Sequence, residues 1–255
     1  MIDLHSHILA GVDDGARDLA ESLAILRAGA SDGIATVAAT PHVRDDYPTS
    51  PDTIARLLAE LHAEIEREHI PVDVLPGAEL ALRQASELSD ADLRRFGLGG
   101  NPSVLLLEFP YVSWPLGLEN LVLRLRQRGF RCVLAHPERN PEVQADPDRL
   151  APLVAAGALV QLTAASIDGR LGRTVRKCSR RILDLELGHL VASDAHRARS
   201  STRDIRLSAA VGELGDELGR WLATAVPAAI IAGKPPPPRP LVFPKRRLRL
   251  GFRRV

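Results

Sequence analysis

Thiols are scarce in this sequence. Among 255 residues there are two cysteines, Cys132 inside an apolar run and Cys178 in a basic helical pattern, and neither belongs to a CxxC pair. That spacing excludes a thiolate zinc site and a dithiol redox motif, and both are expected to be reduced bystanders. An excess of one charge is also missing. With 33 Lys and Arg against 32 Asp and Glu, the formal charge is +1, so no global field draws the chain toward nucleic acid, and no such partner is expected. No apolar run approaches the roughly 18 residues of a membrane span, and no charged n-region precedes a long apolar stretch. A cytoplasmic protein is the expectation.

What is present points to one large α/β domain. A hydrophobic content of 45% over this length supports a sizeable core and suits a single barrel. Seven short apolar runs read as strands: IDLH at the start, ATVAAT (35–40), VDVLPG (72–77), SVLLLEF (103–109), RCVLAH (131–136), ALVQLT (158–163) and HLVAS (189–193). Helical patterns lie between them. DLAESLAILRAGASDG closes on Gly33, SPDTIARLLAELHAEIEREH carries a Ser50 cap before Pro51, and GLENLVLRLRQRG closes on Gly129. Later come DPDRLAPLVAAG, GRTVRKCSRRILDLELG and STRDIRLSAAVGELGDELG, each ending at Gly. Strands and helices alternating with short links argue for parallel β/α architecture.

Polar residues at the strand ends favour a closed barrel over an open sheet. His5, His7, His42, Glu79, Glu108, His136, Asp194 and His196 all come at or just past the C-terminal end of a predicted strand, the rim where catalytic groups of barrels converge. His5 and His7 would share a face, because strand side chains alternate with period two. Alone, that pair is a weak signal. Its company strengthens it: five of the eight histidines sit at strand ends, with Asp14, Glu79, Glu108 and Asp194 as carboxylates. His62, His69 and His189 are expected to be ordinary surface or packing residues. Imidazole with carboxylate and no thiolate suits Mn²⁺, Fe²⁺ or Zn²⁺. Nine ligands exceed one ion's needs and suit two or three, an arrangement that activates a bridging water and clamps phosphoryl oxygens.

The motifs DLHSHIL, VDDG, ATPH, PGAE, LLEF, AHPER and SDAH, in this order over about the first 200 residues, resemble the polymerase and histidinol phosphatase superfamily. More narrowly, they are similar to the bacterial manganese-dependent tyrosine-protein phosphatases of capsule and exopolysaccharide clusters, the CpsB/CapC type. The resemblance implies a distorted seven-stranded (β/α) TIM-like barrel over residues 1–233 with a trinuclear Mn²⁺ site. His5, His7 and Asp194 would hold one ion, and Glu79 would bridge it to a second bound by Glu108 and His136. Asp14, His42 and His196 would hold the third, the DDG pattern favouring Asp14 over Asp13. Glu108 fits the tyrosine phosphatase branch, since other superfamily members commonly carry histidine there.

A cysteine nucleophile is the rival mechanism, and its C-x5-R spacing is absent: Cys132 to Arg139 is C-x6-R, and Asp184 stands six residues after Cys178. Attack by a metal-bridging hydroxide is therefore expected. Arg139 is the candidate phosphate contact, its alternative being a salt bridge to Glu138 or Glu142. Where the family tends to follow SDAHN with an arginine beside prolines, this chain reads SDAHRARSSTRD; Arg197, Arg199 and Arg203 compete for that role, and Arg199 is the choice. The general acid stays unassigned. The implied substrate is a phosphotyrosine protein, the tail of a bacterial tyrosine kinase controlling capsule or exopolysaccharide synthesis. Another phosphoesterase, acting on histidinol phosphate or nucleotides, and a non-catalytic metal-binding regulator are the alternatives. Residues 234–255 read as a Pro-rich then basic tail with six Lys or Arg between Lys245 and Arg254, either a loosely docked terminus or a dock for an acidic partner or anionic membrane surface. An oligomer is left open.

Overall fold

The structure, a computed structural model, describes residues 1–241; the basic run Lys245–Arg254 lies outside the described residues. The strands in chain order are β1 (Ile2–Ser6), β2 (Thr36–Ala39), β3 (His42–Arg44), β4 (Tyr47–Pro48), β5 (Asp73–Pro76), β6 (Glu79–Ala81), β7 (Val104–Glu108), β8 (Arg131–Ala135), β9 (Leu159–Thr163) and β10 (Leu190–Ala192). Each of the seven predicted runs is a strand. The short β3, β4 and β6 are additional.

β3 and β6 arise where two predicted strands break. Pro41 follows β2 and Pro76 ends β5, and neither has an N–H to continue a ladder. Both strands kink at one level, bound there by Glu79 N–H to the Pro41 carbonyl at 3.0 Å. Below the kink β2 pairs with β5 in parallel, and above it β3 pairs with β6, His42 opposite Glu79. The ladders therefore form two sheets, β1-β2-β5 and β10-β9-β8-β7-β6-β3-β4, parallel except for the β3-β4 hairpin. β1 also reaches the segment after β10: Asp194 N–H donates to the His5 carbonyl at 2.9 Å and His7 N–H to the Ala195 carbonyl at 2.8 Å. The protein is a mixed α/β fold built on parallel strands.

Packing explains the pattern. β7 and β9 are buried at every residue, as expected for parallel strands covered on both faces. The helix Pro51–Arg67 starts where Ser50 Oγ accepts the Thr53 N–H and turns Ile54, Leu58 and Leu61 inward, the 3.6-residue spacing of an apolar stripe. One helical expectation fails. STRDIRLSAAVGELGDELG is helical only at Ser208–Leu214 and Asp216–Arg220, because Asp32 accepts from the N–H groups of Leu207 and Ser208 at 2.7 and 2.9 Å and fixes the start there. The residues before it form a loop. DPDRLAPLVAAG likewise splits into a 3₁₀ turn, Pro147–Leu150, and a short helix, Ala151–Ala155. The proline-rich run is docked toward its end, where Trp221 Nε1 donates to the Pro237 carbonyl at 3.0 Å and Arg239 donates to the carbonyls of Gly188 and Leu183 at 2.7 and 3.0 Å. Among the described residues no helix is long and apolar enough to cross a membrane.

Candidate metal centre

Eight of the nine expected ligands converge at the C-terminal strand ends. They form three overlapping groups: His7, Asp14, His42 and His196; His5, Glu79 and His136; and His5, His7 and Asp194. His62, His69 and His189 belong to none of these. In the innermost part, His5 Nε2 and His7 Nε2 stand 3.2 Å apart. Glu79 Oε2 lies 3.4 and 3.5 Å from them, and Asp194 Oδ1 3.4 and 3.3 Å. Atoms about 2.1 Å from one ion in tetrahedral arrangement lie about 3.4 Å from one another. Each of these five distances has that spacing, while Glu79 and Asp194 fall in separate groups that share His5.

The imidazoles are fixed from behind. His5 Nδ1 bonds Gln161 Oε1 at 2.9 Å and His7 Nδ1 bonds Asp13 Oδ2 at 2.7 Å. With the proton on each Nδ1, both Nε2 lone pairs point into the cluster. His196 is held the same way, Nδ1 donating to the Asp194 carbonyl at 2.8 Å. Gly15 makes the first turn tight enough: a Cβ there would lie 2.1 Å from the His7 carbonyl oxygen. Asp3, buried beneath, accepts from Ser193 N–H and Oγ at 3.0 and 2.5 Å and ties β1 to the loop bearing Asp194. His136 and Asp194 take left-handed backbone, φ 38° and 55°, conformations costly enough that they persist chiefly where surrounding structure imposes them.

Electrostatics and unmet polar atoms fit cations. Burial opposes charge on Glu79 and Asp194, yet the histidines around Glu79, and Arg139 and His5 beside Asp194, hold both carboxyls well below their usual range. Burial likewise opposes charge on His7, and Asp13 outweighs it, raising His7 well above 6.5 and lowering Asp13 to about 2. Glu79 Oε2 and Asp14 Oδ1 are buried without a hydrogen-bond partner, a costly state that a metal ion relieves. The thiols take no part. Cys132 and Cys178 are free and buried, and burial pushes both up to about 12.

A family model described as "Capsular polysaccharide synthesis, CpsB/CapC" matches residues 1–229. The chain belongs to the CpsB/CapC family. A curated relative, "Tyrosine-protein phosphatase YwqE" of Bacillus subtilis, is 37% identical over 87% of this chain and 87% of its own. "Tyrosine-protein phosphatase CpsB" of Streptococcus agalactiae is 28% identical over 77% of this chain and 83% of its own. A solved structure from work on YwqE of B. subtilis and CpsB of Streptococcus pneumoniae, described as "unique metal-dependent tyrosine phosphatases", superposes with TM-score 0.83 at 33% identity, covering 95% of this chain and 100% of that one. A lactonase from Listeria monocytogenes shares the fold alone, with TM-score 0.51 at 12% identity over 91% of each chain.

Within this CpsB/CapC chain the remaining expectations sort by geometry. Arg139 reaches the cluster, with Nη1 2.7 Å from Asp194 Oδ2, and it donates to Thr163 Oγ1 at 3.0 Å and the Tyr111 hydroxyl at 3.1 Å. Its alternative partners are engaged elsewhere, Glu138 by Thr163 N–H and Ser166 Oγ, Glu142 by Arg149 and Trp114 N–H. Arg199 is exposed and makes no hydrogen bond or ion pair among the described residues. Arg203 instead reaches the cluster, donating to Asp14 Oδ2 at 2.9 Å and touching His196 Nε2, while Arg197 holds the carbonyls of Asp14 and Gly15. Glu108 joins none of the three groups; its Oε1 accepts from Arg44 at 2.8 Å. Burial and the Glu79 charge raise its pKa despite that arginine. Sequence reasoning missed Gln161, Arg44, Tyr47 and Tyr111. Tyr47 stacks on His42 at 5.7 Å and Tyr111 on His136 at 5.3 Å, and these are the only tyrosines in the chain.

Proposed function

We propose that this chain is a metal-dependent protein-tyrosine phosphatase whose ions, two or three Mn²⁺, are held by His5, His7, Asp14, His42, Glu79, His136, Asp194 and His196, with Glu108 joining them on release from Arg44. The observation that carries the reading is the convergence of His5, His7, Glu79 and Asp194 donor atoms at 3.2–3.5 Å beside a buried arginine, in a chain of the CpsB/CapC family. Bound there, the ions supply Lewis acidity toward phosphoryl oxygens and make a water nucleophilic at neutral pH.

The side chains do the rest. Asp13 and Gln161 keep the proton on the far nitrogens of His7 and His5, leaving Nε2 free to ligate. Arg139, held by Asp194, Thr163 and Tyr111, presents its guanidinium to a phosphoryl oxygen and neutralises charge gathering there. Arg203 does the same from the opposite edge, beside Asp14, whose side chain is 36% exposed while those of His5, His7 and Glu79 are fully buried. Asp14 and Arg203 therefore lie at the open side of the site. A phenol, with pKa near 10, leaves more readily than an alkoxide, so a tyrosyl ester asks less of a general acid.

The seven parallel staves, with β2 running into β3 and β5 into β6, close into a distorted barrel through the hydrogen bonds joining β1 to the segment after β10. The physiological substrate is the phosphotyrosine-bearing tail of a cytoplasmic tyrosine kinase domain governing capsule or exopolysaccharide synthesis, and residues 1–233 form the catalytic domain. A substrate panel tests the function: with Mn²⁺ the protein turns over a phosphotyrosyl peptide at least tenfold faster than histidinol phosphate or a nucleotide. Preference for histidinol phosphate contradicts it.

A further inference from the structure

The loop from β7 to the helix Leu118–Gln127 reads FPYVSWPLG over residues 109–117 and contains no charged residue. Five large apolar or aromatic side chains stand exposed among the described residues, and three are on this loop: Tyr111 at 44%, Val112 at 72% and Leu116 at 97%. Looseness does not account for that. Asn140 Nδ2 donates to the carbonyls of Pro110 and Ser113 at 2.8 and 2.9 Å, Trp114 N–H donates to Glu142 Oε1 at 3.1 Å, and the Trp114 ring packs edge-on against buried Phe109 at 5.7 Å. The loop is held from below with its apolar side chains turned to water, where folding gains nothing from them.

Its inner end joins the metal centre. The Tyr111 ring lies nearly parallel to His136, 13° between planes, and its hydroxyl accepts from Arg139. One edge of this lip is therefore the wall of the site, and Val112 and Leu116 continue the chain outward from it.

We infer that residues 111–116 are the docking lip for the peptide around the substrate's phosphotyrosine. Tyr111 forms a wall for the phenyl ring, and Val112 and Leu116 receive uncharged, apolar side chains flanking it. The inference rests on the phosphatase reading and adds what the substrate must present. Continuity favours a substrate peptide: a phosphate at Arg139 lays its flanking chain across this loop. Size disfavours a second copy, since three side chains fall well short of the roughly 800 Å² per partner of a stable interface.

The test compares kcat/KM for a phosphotyrosyl peptide with apolar flanking residues against kcat/KM for p-nitrophenyl phosphate, in the Mn²⁺-loaded full chain. In the double variant Val112→Ser, Leu116→Ser, both positions being at the surface, the peptide-to-small-substrate ratio falls about tenfold, through KM. Tyr111→Leu raises peptide KM more than Tyr111→Phe, which keeps the ring; an equal effect overturns the ring's role. A ratio unchanged in the double variant overturns the lip, as does a change confined to self-association seen by sedimentation. Should the unaltered protein hydrolyse neither substrate, the phosphatase reading fails and this inference with it; hydrolysis of both with a constant ratio sinks the lip alone.

Discussion

Asp13 Oδ2 accepts from His7 Nδ1 at 2.7 Å and from the backbone N–H of His42 at 2.9 Å, so one carboxylate orients ligands from two strands. Adjacent Asp14 instead turns toward His196 and Arg203. In the proposed site the two aspartates of the DDG motif thus have different tasks, one orienting ligands and the other serving as one. Partners of this kind typically contribute 10–100-fold to metal affinity. Asp13→Asn is expected to weaken Mn²⁺ binding by about that factor in a chelator competition while circular dichroism stays unchanged. Unaltered affinity would contradict the assignment.

Arg203 rather than Arg199 stands at the cluster. Arg203→Ala is expected to lower kcat/KM for a phosphotyrosyl substrate by about tenfold to a hundredfold, the lower end reflecting its partial exposure. Arg199→Ala stays within about twofold. Parallel steady-state assays of the two variants decide between them, and the opposite order would restore the choice made from sequence.

Gly15 is a packing requirement. With a Cβ 2.1 Å from the His7 carbonyl oxygen and 2.5 Å from the His7 Cβ, Gly15→Ala must displace the first ligand strand. A loss of about 3 kcal/mol is expected, a Tm lower by about 6–12 °C for a chain of this size. Calorimetry checks it, and a Tm within about 2 °C of the parent would show that the turn yields freely.

His189 gives a pH signature away from the metal centre. Its Nδ1 accepts the Val160 N–H at 3.2 Å, a bond only the neutral ring can make, and burial with nearby Arg239 lowers its pKa to about 4. The unfolded chain takes up the proton near 6.5 and the folded one near 4, so this contribution is complete above pH 6.5 and is lost as pH falls toward 4. Its full size is roughly 3 kcal/mol. Urea unfolding at pH 7 and pH 5 should show a shallower acid loss of stability in His189→Gln than in the parent protein. Equal slopes would remove His189 from the account.

The strands were legible because parallel strands covered on both faces leave unbroken apolar runs such as VLLL, and the candidate ligands because polar residues at the ends of such runs need a reason. Other features had no such signature. β3 and β6 are three residues each, too short for any period to show, and only the paired kink at Pro41 and Pro76 creates them. The loop carrying Arg203 read as helix because its apolar spacing runs on unbroken; what stops it is Asp32, a contact across 175 residues. Gln161 was hidden inside a strand pattern, since nothing local says that its amide faces His5. The Arg44–Glu108 pair joins residues 64 apart, and sequence spacing offers no way to anticipate it.

Phosphate release from a phosphotyrosyl peptide, measured before chelation, after it and after Mn²⁺ is restored, tests the central claim most directly. The account predicts release that disappears with the metal and returns with Mn²⁺, and that before chelation and after restoration is at least a hundredfold lower in His136→Ala and Asp194→Ala. Release indifferent to chelation, or none with any divalent metal, would contradict it.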